Sequence, residues 1–329
     1  MLSSHIHDLM QQGYRSAATR FRQLIRAFSS QELREALNQV LISQREMAGF
    51  VLTPLACEAA GGDPKITLMF TDAMFQLARG LDMIDDVIDE SFEKHGKKTL
   101  LGTFGAETTL ILAAGLLFNG GQLFTEIAAN TSFETSSAVT KVFVGCFLEL
   151  GEAIVKELGF RQRLDVQPVE YVNMLRQRAS LSEACTHVGA LLGGGDQEQV
   201  ALLAQYGRKV GTLKGLTNDM QDVLGDQREL THRLHKESAP LPVLYGLEDS
   251  IVVHLVSKAI KRELSEAEQD ALIVRLEETG ALAKTVKRIE ITVEQALDLL
   301  TNAPGAYRLK NTPALKAVVE DFLPKRNST

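Results

Sequence analysis

Apolar positions along nearly the whole chain recur every three or four residues, and the strict alternation of a half-buried strand is scarce. This period predicts amphipathic helices at 15–28 and 31–41, the second capped by Ser30 with Glu32 early in its first turn. A small-residue helix at 50–60 is closed by Gly61-Gly62, and Asp63-Pro64 opens the next. One long helix covers 65–91, and 94–98 is a basic loop. Segments 108–118, 122–129 and 136–158 are apolar enough for buried helices. A helix at 169–192 stops at Gly193-Gly194-Gly195, and another runs over 197–224. The polar stretch 225–242, with Pro240 and Pro242, reads as a mobile cover, and shorter helices follow at 265–279, 281–300 and 313–323. No repeat or composition shift marks a boundary, so residues 1–329 are expected to form a single-domain, all-α bundle.

Composition narrows the function classes. Hydrophobic residues make up 45% of the 329, ample for a sizeable core. A net charge of −7 argues against nucleic acid and against electrostatic adhesion to anionic membranes. Cys57, Cys146 and Cys185 sit in apolar helical patterns, as core thiols of a reducing compartment do, which points to a cytoplasmic protein. Residues 1–11 lack an apolar signal core, and no run reaches a membrane span of about 18 apolar residues; 108–118 is too short.

The chemistry concentrates in 81–90. Met83, Ile84, Val87 and Ile88 form an apolar stripe there, and Asp82, Asp85, Asp86, Asp89 and Glu90 project from another face. Asp85 and Asp89 are four apart, a like-charge spacing that destabilises a helix by roughly 0.2–0.5 kcal/mol. Water on a solvated face would offset this, and so would a hard divalent cation such as Mg²⁺. In a second stretch, Asn218, Asp222 and Asp226 are spaced four apart on one helix face. Two oxygen-bearing helix faces distant in sequence suggest a cavity in which ions clamp a polyphosphate.

Asp85-Asp86-Val87-Ile88-Asp89 resembles the first DDxxD motif of trans-isoprenyl diphosphate synthases. Asn218-Asp219-Met220-Gln221-Asp222 resembles their second, with Asn in place of its first Asp. Asn218, Asp222 and Asp226 also share the spacing of the metal motif of class I terpene synthases. Further matches occur in order at Ala59–Asp63, Gly96–Thr99, Ala179–Leu181 and Leu241–Tyr245. The resemblance implies an all-α fold of the class I isoprenoid synthase type and a homodimer. It implies an enzyme using several Mg²⁺ ions to ionise an allylic prenyl diphosphate. By the same resemblance Asp85, Asp89, Asn218 and Asp222 are catalytic metal holders, with Asp86, Asp219 and Asp226 as further ligand candidates. Lys94 falls where the family has an Arg that touches the allylic diphosphate. Arg176, Arg178 and Lys236 are further candidate diphosphate contacts.

The second substrate site departs from the family. Chain-elongating members bind isopentenyl diphosphate through a G-K-R-x-R-P segment, an upstream His and a second Arg. Here the matching positions are Gly49-Phe50-Val51-Leu52-Thr53-Pro54, Ala78 and His95. Phe50 and Val51 cannot compensate a second diphosphate, and an anion buried unpaired costs several kcal/mol. The expected reaction is therefore ionisation followed either by internal quenching, as in terpene synthases, or by transfer to an acceptor without a diphosphate. An ordinary condensation with isopentenyl diphosphate is the alternative. A non-catalytic subunit would not need both acidic faces, and an unrelated helical binding protein would release no pyrophosphate. Phe50, Val51, Ala78, Gly80 and Leu81 are expected to line an apolar pocket, and the absence of aromatic residues at Gly80 and Leu81 points to a donor of fifteen carbons or more.

Overall fold

The computed structural model describes residues 4–42, 49–94, 96–225 and 227–324. The first helices are α1 (Ser4–Ala27), α2 (Gln31–Ile42), α3 (Gly49–Ala60) and α4 (Leu68–Ile88). A two-residue hairpin, β1 (Glu93–Lys94) and β2 (Lys97–Lys98), pairs antiparallel with Glu93 opposite Lys98. Then come α5 (Leu100–Ala129), α6 (Phe133–Leu158), α7 (Pro168–Arg178), α8 (Ser180–Leu192) and α9 (Gln197–Leu224). The remainder is α10 (Gln227–Lys236), α11 (Leu241–Gly246), α12 (Ser250–Ile260), α13 (Glu266–Glu278), α14 (Ala281–Asn302) and α15 (Thr312–Glu320). The all-α expectation holds.

Caps set several boundaries. Ser30 Oγ accepts from Leu33 N–H at 3.3 Å, and Asp63 accepts from Lys65 N–H at 3.0 Å ahead of Pro64. Thr99 Oγ1 accepts from Gly102 N–H at 3.1 Å to begin α5, and Ser265 with Glu268 forms a capping box for α13.

Several elements differ from the sequence reading: the first helix begins at Ser4, the long helix is shortened to Leu68–Ile88, and the basic loop forms the β1–β2 hairpin. Segments 108–118 and 122–129 are parts of the single helix α5, kinked at Gly105 (φ 79°). Contrary to the expectation that no run reaches a membrane span, the apolar stretch Leu100–Ile127 is long and apolar enough to cross one by length and composition; here about a third of it is buried and one side packs on α4. The predicted helix 169–192 is broken at Ala179. The expected cover at 225–242 contains α10, which buries Leu230, Arg233 and Leu234 at helical spacing.

The chain folds into two compact units, each assembled from separate stretches: Met1–Val144 with Ala184–Ala204 and Ala303–Ala317, and Gly145–Glu183 with Gln205–Asn302 and Val318–Thr329. The core of the first joins Phe21, Leu37, Phe75, Leu112 and Leu116, with the rings of Phe21 and Phe75 edge to face at 5.6 Å. The second buries Tyr171, Tyr206, Leu213, Leu216, Leu272 and Leu276. The acidic end of α4 belongs to the first unit and that of α9 to the second.

Candidate active site: two aspartate-bearing helix ends

At the first site Asp85, Asp86 and Asp89 occupy the last turn of α4. The helix stops because Glu90 turns left-handed (φ 52°), while the N–H groups of Asp89 and Ser91 donate to the carbonyls of Asp85 (2.9 Å) and Asp86 (2.8 Å). Thr99 Oγ1 then donates to the Ser91 carbonyl at 2.7 Å and fastens the hairpin to this end. Lys94 Nζ lies 2.6 Å from Asp86 Oδ1, and Arg79 pairs with Asp82 at 2.7 Å. Burial pushes the Asp86 carboxyl up, Lys94 pulls it down, and the charges of Asp82 and Asp85 push it up again. A helix C-terminus is the negative end of the macrodipole, so carboxylates there are doubly unfavourable until a cation arrives. Lys94 supplies one such charge, to Asp86. Ile88, placed by sequence in the apolar stripe, is 37% exposed because the helix ends beneath it.

At the second site Asn218 is exposed and Asp222 half-buried, one turn apart on α9. Asp219 between them turns inward and is 1% exposed. Its Oδ1 accepts from Tyr171 OH at 2.9 Å and Arg233 Nη2 at 2.7 Å, and its Oδ2 from Leu241 N–H at 3.0 Å. Arg233 also donates to Tyr171 OH at 2.7 Å, to Asp222, and through Nε to the Ser238 carbonyl at 3.2 Å. Burial works against the Arg233 charge, but Tyr171, Asp219 and Asp222 outweigh it and hold the guanidinium protonated. Burial likewise holds the Tyr171 phenol protonated. The expectation that Asp219 ligates metal therefore meets a carboxylate already spent on three donors.

The candidate diphosphate contacts separate. Lys94 is engaged with Asp86. Arg178 pairs with Glu157, which also accepts from Ser238 Oγ at 3.1 Å, so Arg178 joins the Arg233 network. Lys236 is half-buried on α10, the helix that carries Arg233. Arg176 lies on another face of α7, in a pocket with Lys209 and Arg288. Val51 is buried in α3, and Ala78 and Leu81 are half-buried on α4. A Cβ on Gly80 would stand 2.9 Å from the Ala113 carbonyl of α5, so this glycine lets α4 and α5 approach closely. The Phe50 side chain, His95 and Asp226 lie outside the described residues.

Sequence reasoning missed Arg233 and Tyr171. The signal for Arg233 was present, since it interrupts the apolar spacing between Leu230 and Leu234. Tyr171 looked like any core aromatic. Among the described residues no three His, Cys, Asp or Glu side chains gather as a ready-made metal cage. The donors are hard oxygens in pairs, half-buried Asp85 with buried Asp89 and exposed Asn218 with half-buried Asp222, which suits Mg²⁺, an ion that takes one or two carboxylates and completes its shell with phosphate and water.

An all-helical chain with aspartate-rich ends on two of its long helices has the build of an isoprenoid synthase. The Polyprenyl synthetase family pattern matches residues 52–275, and the chain belongs to that family. It is 28% identical over 270 residues to a short chain isoprenyl diphosphate synthase of Methanothermobacter thermautotrophicus, covering 82% of this chain and 79% of that one. A heptaprenyl diphosphate synthase component 2 of Geobacillus stearothermophilus is 24% identical over 225 residues, 67% of this chain and 68% of that one. Among solved structures, geranylgeranyl pyrophosphate synthetase from Pyrococcus horikoshii matches with a TM-score of 0.82 at 19% identity, covering 97% of this chain and 99% of that one. The protein is thus a prenyltransferase of the polyprenyl synthetase family.

Proposed function

We propose that this prenyltransferase is a prenyl diphosphate synthase, which ionises an allylic diphosphate and joins the prenyl cation to isopentenyl diphosphate. The observation that carries this reading is the match to a short chain isoprenyl diphosphate synthase over about four fifths of both chains. It reverses the preference drawn from Phe50, Val51 and Ala78 alone.

Asp85 and Asp89 at the end of α4, and Asn218 and Asp222 at the end of α9, would supply oxygens for Mg²⁺. Bound Mg²⁺ would neutralise the charge that grows on the departing diphosphate. Lys94 adds a cation beside the first end. Arg233 fixes the orientation of Asp222 from behind, with Asp219 and Tyr171 bracing it. A second reading, transfer to an acceptor without a diphosphate, is supported by the uncharged Val51 and Ala78 at positions where the family places a cation and a His.

The test is pyrophosphate release with Mg²⁺ and geranyl, farnesyl or geranylgeranyl diphosphate, each with and without isopentenyl diphosphate, with products read by mass spectrometry. Release that requires isopentenyl diphosphate and yields longer diphosphates is expected. Release without it, giving hydrocarbon or alcohol, would replace condensation by the second reading. Asp85→Ala and Asp222→Asn should each lower the rate by on the order of a hundredfold or more; wild-type release in either would remove that end from the metal site.

A further inference from the structure

The second unit contains a pocket of about 420 Å³ between α7, α9 and α14, within the size range of small-molecule sites. Arg176, Arg208, Lys209 and Arg288 line it, and its lining includes no Asp or Glu. Arg208 is already neutralised, by Glu149 through two contacts at 2.6 and 2.8 Å and by Glu183. Arg176, Lys209 and Arg288 have no carboxylate partner among the described residues. Lys209 Nζ instead donates to the neutral Gln295 Oε1 at 2.6 Å. Burial and the neighbouring Arg176 charge pull the Lys209 ammonium down.

Three unpaired cations on one concavity are unusual in a chain of net charge −7. Their mutual repulsion, weakly screened at the half-buried Lys209 and Arg288 and more fully at the exposed Arg176, is relieved by an incoming anion. Asn173, Gln295 and the buried Thr212 add neutral polar groups to the lining, and Val169 and Val172 provide an apolar margin.

The pocket is separate from the aspartates of α9. At 3.6 residues per turn, its α9 residues (Gln205, Arg208, Lys209 and Thr212) face about 110° away from Asn218 and Asp222. Lys209 also precedes Asn218 by a helical rise on the order of 15 Å.

We propose that this pocket is a metal-independent binding site for a small phosphate-bearing anion, held by Arg176, Lys209 and Arg288. The three cations match a group bearing two or three negative charges, as a phosphate or diphosphate does, and need no Mg²⁺ to hold it. This distinguishes the pocket from the aspartate ends, whose carboxylates repel such a group until metal is present.

The test is calorimetric titration of the full chain, with EDTA in place of Mg²⁺, using inorganic phosphate, inorganic pyrophosphate and geranyl diphosphate in separate runs. Saturable binding of at least one probe is expected, weakened tenfold or more in Arg288→Gln and in Lys209→Gln and unchanged in Asp85→Asn. Geranyl diphosphate binding tighter than pyrophosphate would identify a prenylated ligand; equal binding would identify the phosphate group as the recognised part. Arg288→Lys, which keeps the charge, should retain most of the affinity, and melting curves should show all variants folded. Absence of saturable binding for all three probes, or binding that persists in both pocket variants, would overturn the proposal. Neither result touches the condensation reading, whose assay requires Mg²⁺.

Discussion

Asp219 and Asp222 are three residues apart in one motif and both meet Arg233, but α9 buries Asp219 fully and leaves Asp222 only half-buried. Asp219 is a buried acceptor for Arg233, Tyr171 and the Leu241 N–H. Removing it as Asp219→Ala strands a buried guanidinium, at a cost of about 3–5 kcal/mol. Tyr171→Phe leaves the ion pair in place and should cost about 1–3 kcal/mol. Urea denaturation separates these values. An Asp219→Asn protein with unchanged stability and a weakened Mg²⁺ dependence would return Asp219 to the metal ligands. Asp72 offers a pH test. It is 1% exposed, paired with Arg20 at 2.8 Å and Ser16 at 2.8 Å, yet burial dominates and pushes its carboxyl up to about 6. Between about pH 4 and 6 the folded chain keeps a proton that the unfolded chain has released, so stability falls as pH rises through that window. The loss amounts to at most about 3 kcal/mol and levels off above the folded value. Relative to Asp72→Asn, the wild type should lose stability from pH 4 to pH 7; a pH-independent difference would show that Asp72 titrates normally.

At the scale of elements, close backbone approach decides what the sequence pattern could not. A Cβ on Gly189 of α8 would lie 2.3 Å from the Thr53 carbonyl of α3, so these helices touch backbone to backbone. Gly189→Ala must separate them, and a loss of about 1–3 kcal/mol is expected in thermal unfolding; an unchanged midpoint would mean that the crossing is looser than described. The same kind of contact hid the continuity of α5. Gly120-Gly121 reads as a turn, but a Cβ on Gly120 would lie 2.8 Å from Leu77 Cγ, so the glycine serves packing on α4. In contrast, the span 197–224 was legible to the residue, because Asp196 caps its start and Gly225 follows its end around an uninterrupted helical period. The acidic ends of α4 and α9 were legible for a related reason: their motifs are local and their spacing is that of a helix. The Arg233 network was not, since it joins Tyr171, Asp219 and Ser238 through contacts that no local period encodes. The break at Ala179 left no local mark either, as neither Gly nor Pro punctuates it.

At the scale of the whole molecule, α6 presents apolar side chains to solvent in a regular row. Val144, Leu148 and Val155 are 49%, 67% and 69% exposed and lie on one face of the helix, with Gly151 between them. Phe133 at the start of the same helix is 90% exposed. Surface leucines and valines are ordinary singly, but Leu148 and Val155 flanking Gly151 form a short exposed apolar row on two turns of α6, a surface suited to cover by another protein. The occupant that the family resemblance implies is a second copy of the chain. A two-fold axis would set this face against itself, so that a small residue at Gly151 lets the backbones approach where Leu148 and Val155 interdigitate. We propose this homodimer as the solution state. Leu148→Asp would then place two carboxylates in an apolar seam, each short of a partner and several kcal/mol out of favour. Because Leu148 is exposed in the single chain, the substitution leaves the fold of each copy intact. Light scattering coupled to size exclusion should show a particle of twice 36.1 kDa for the wild type and of 36.1 kDa for Leu148→Asp, with unchanged helical circular dichroism. A wild type that elutes as a single chain, or a Leu148→Asp protein that remains paired, would show that this face serves another partner or none.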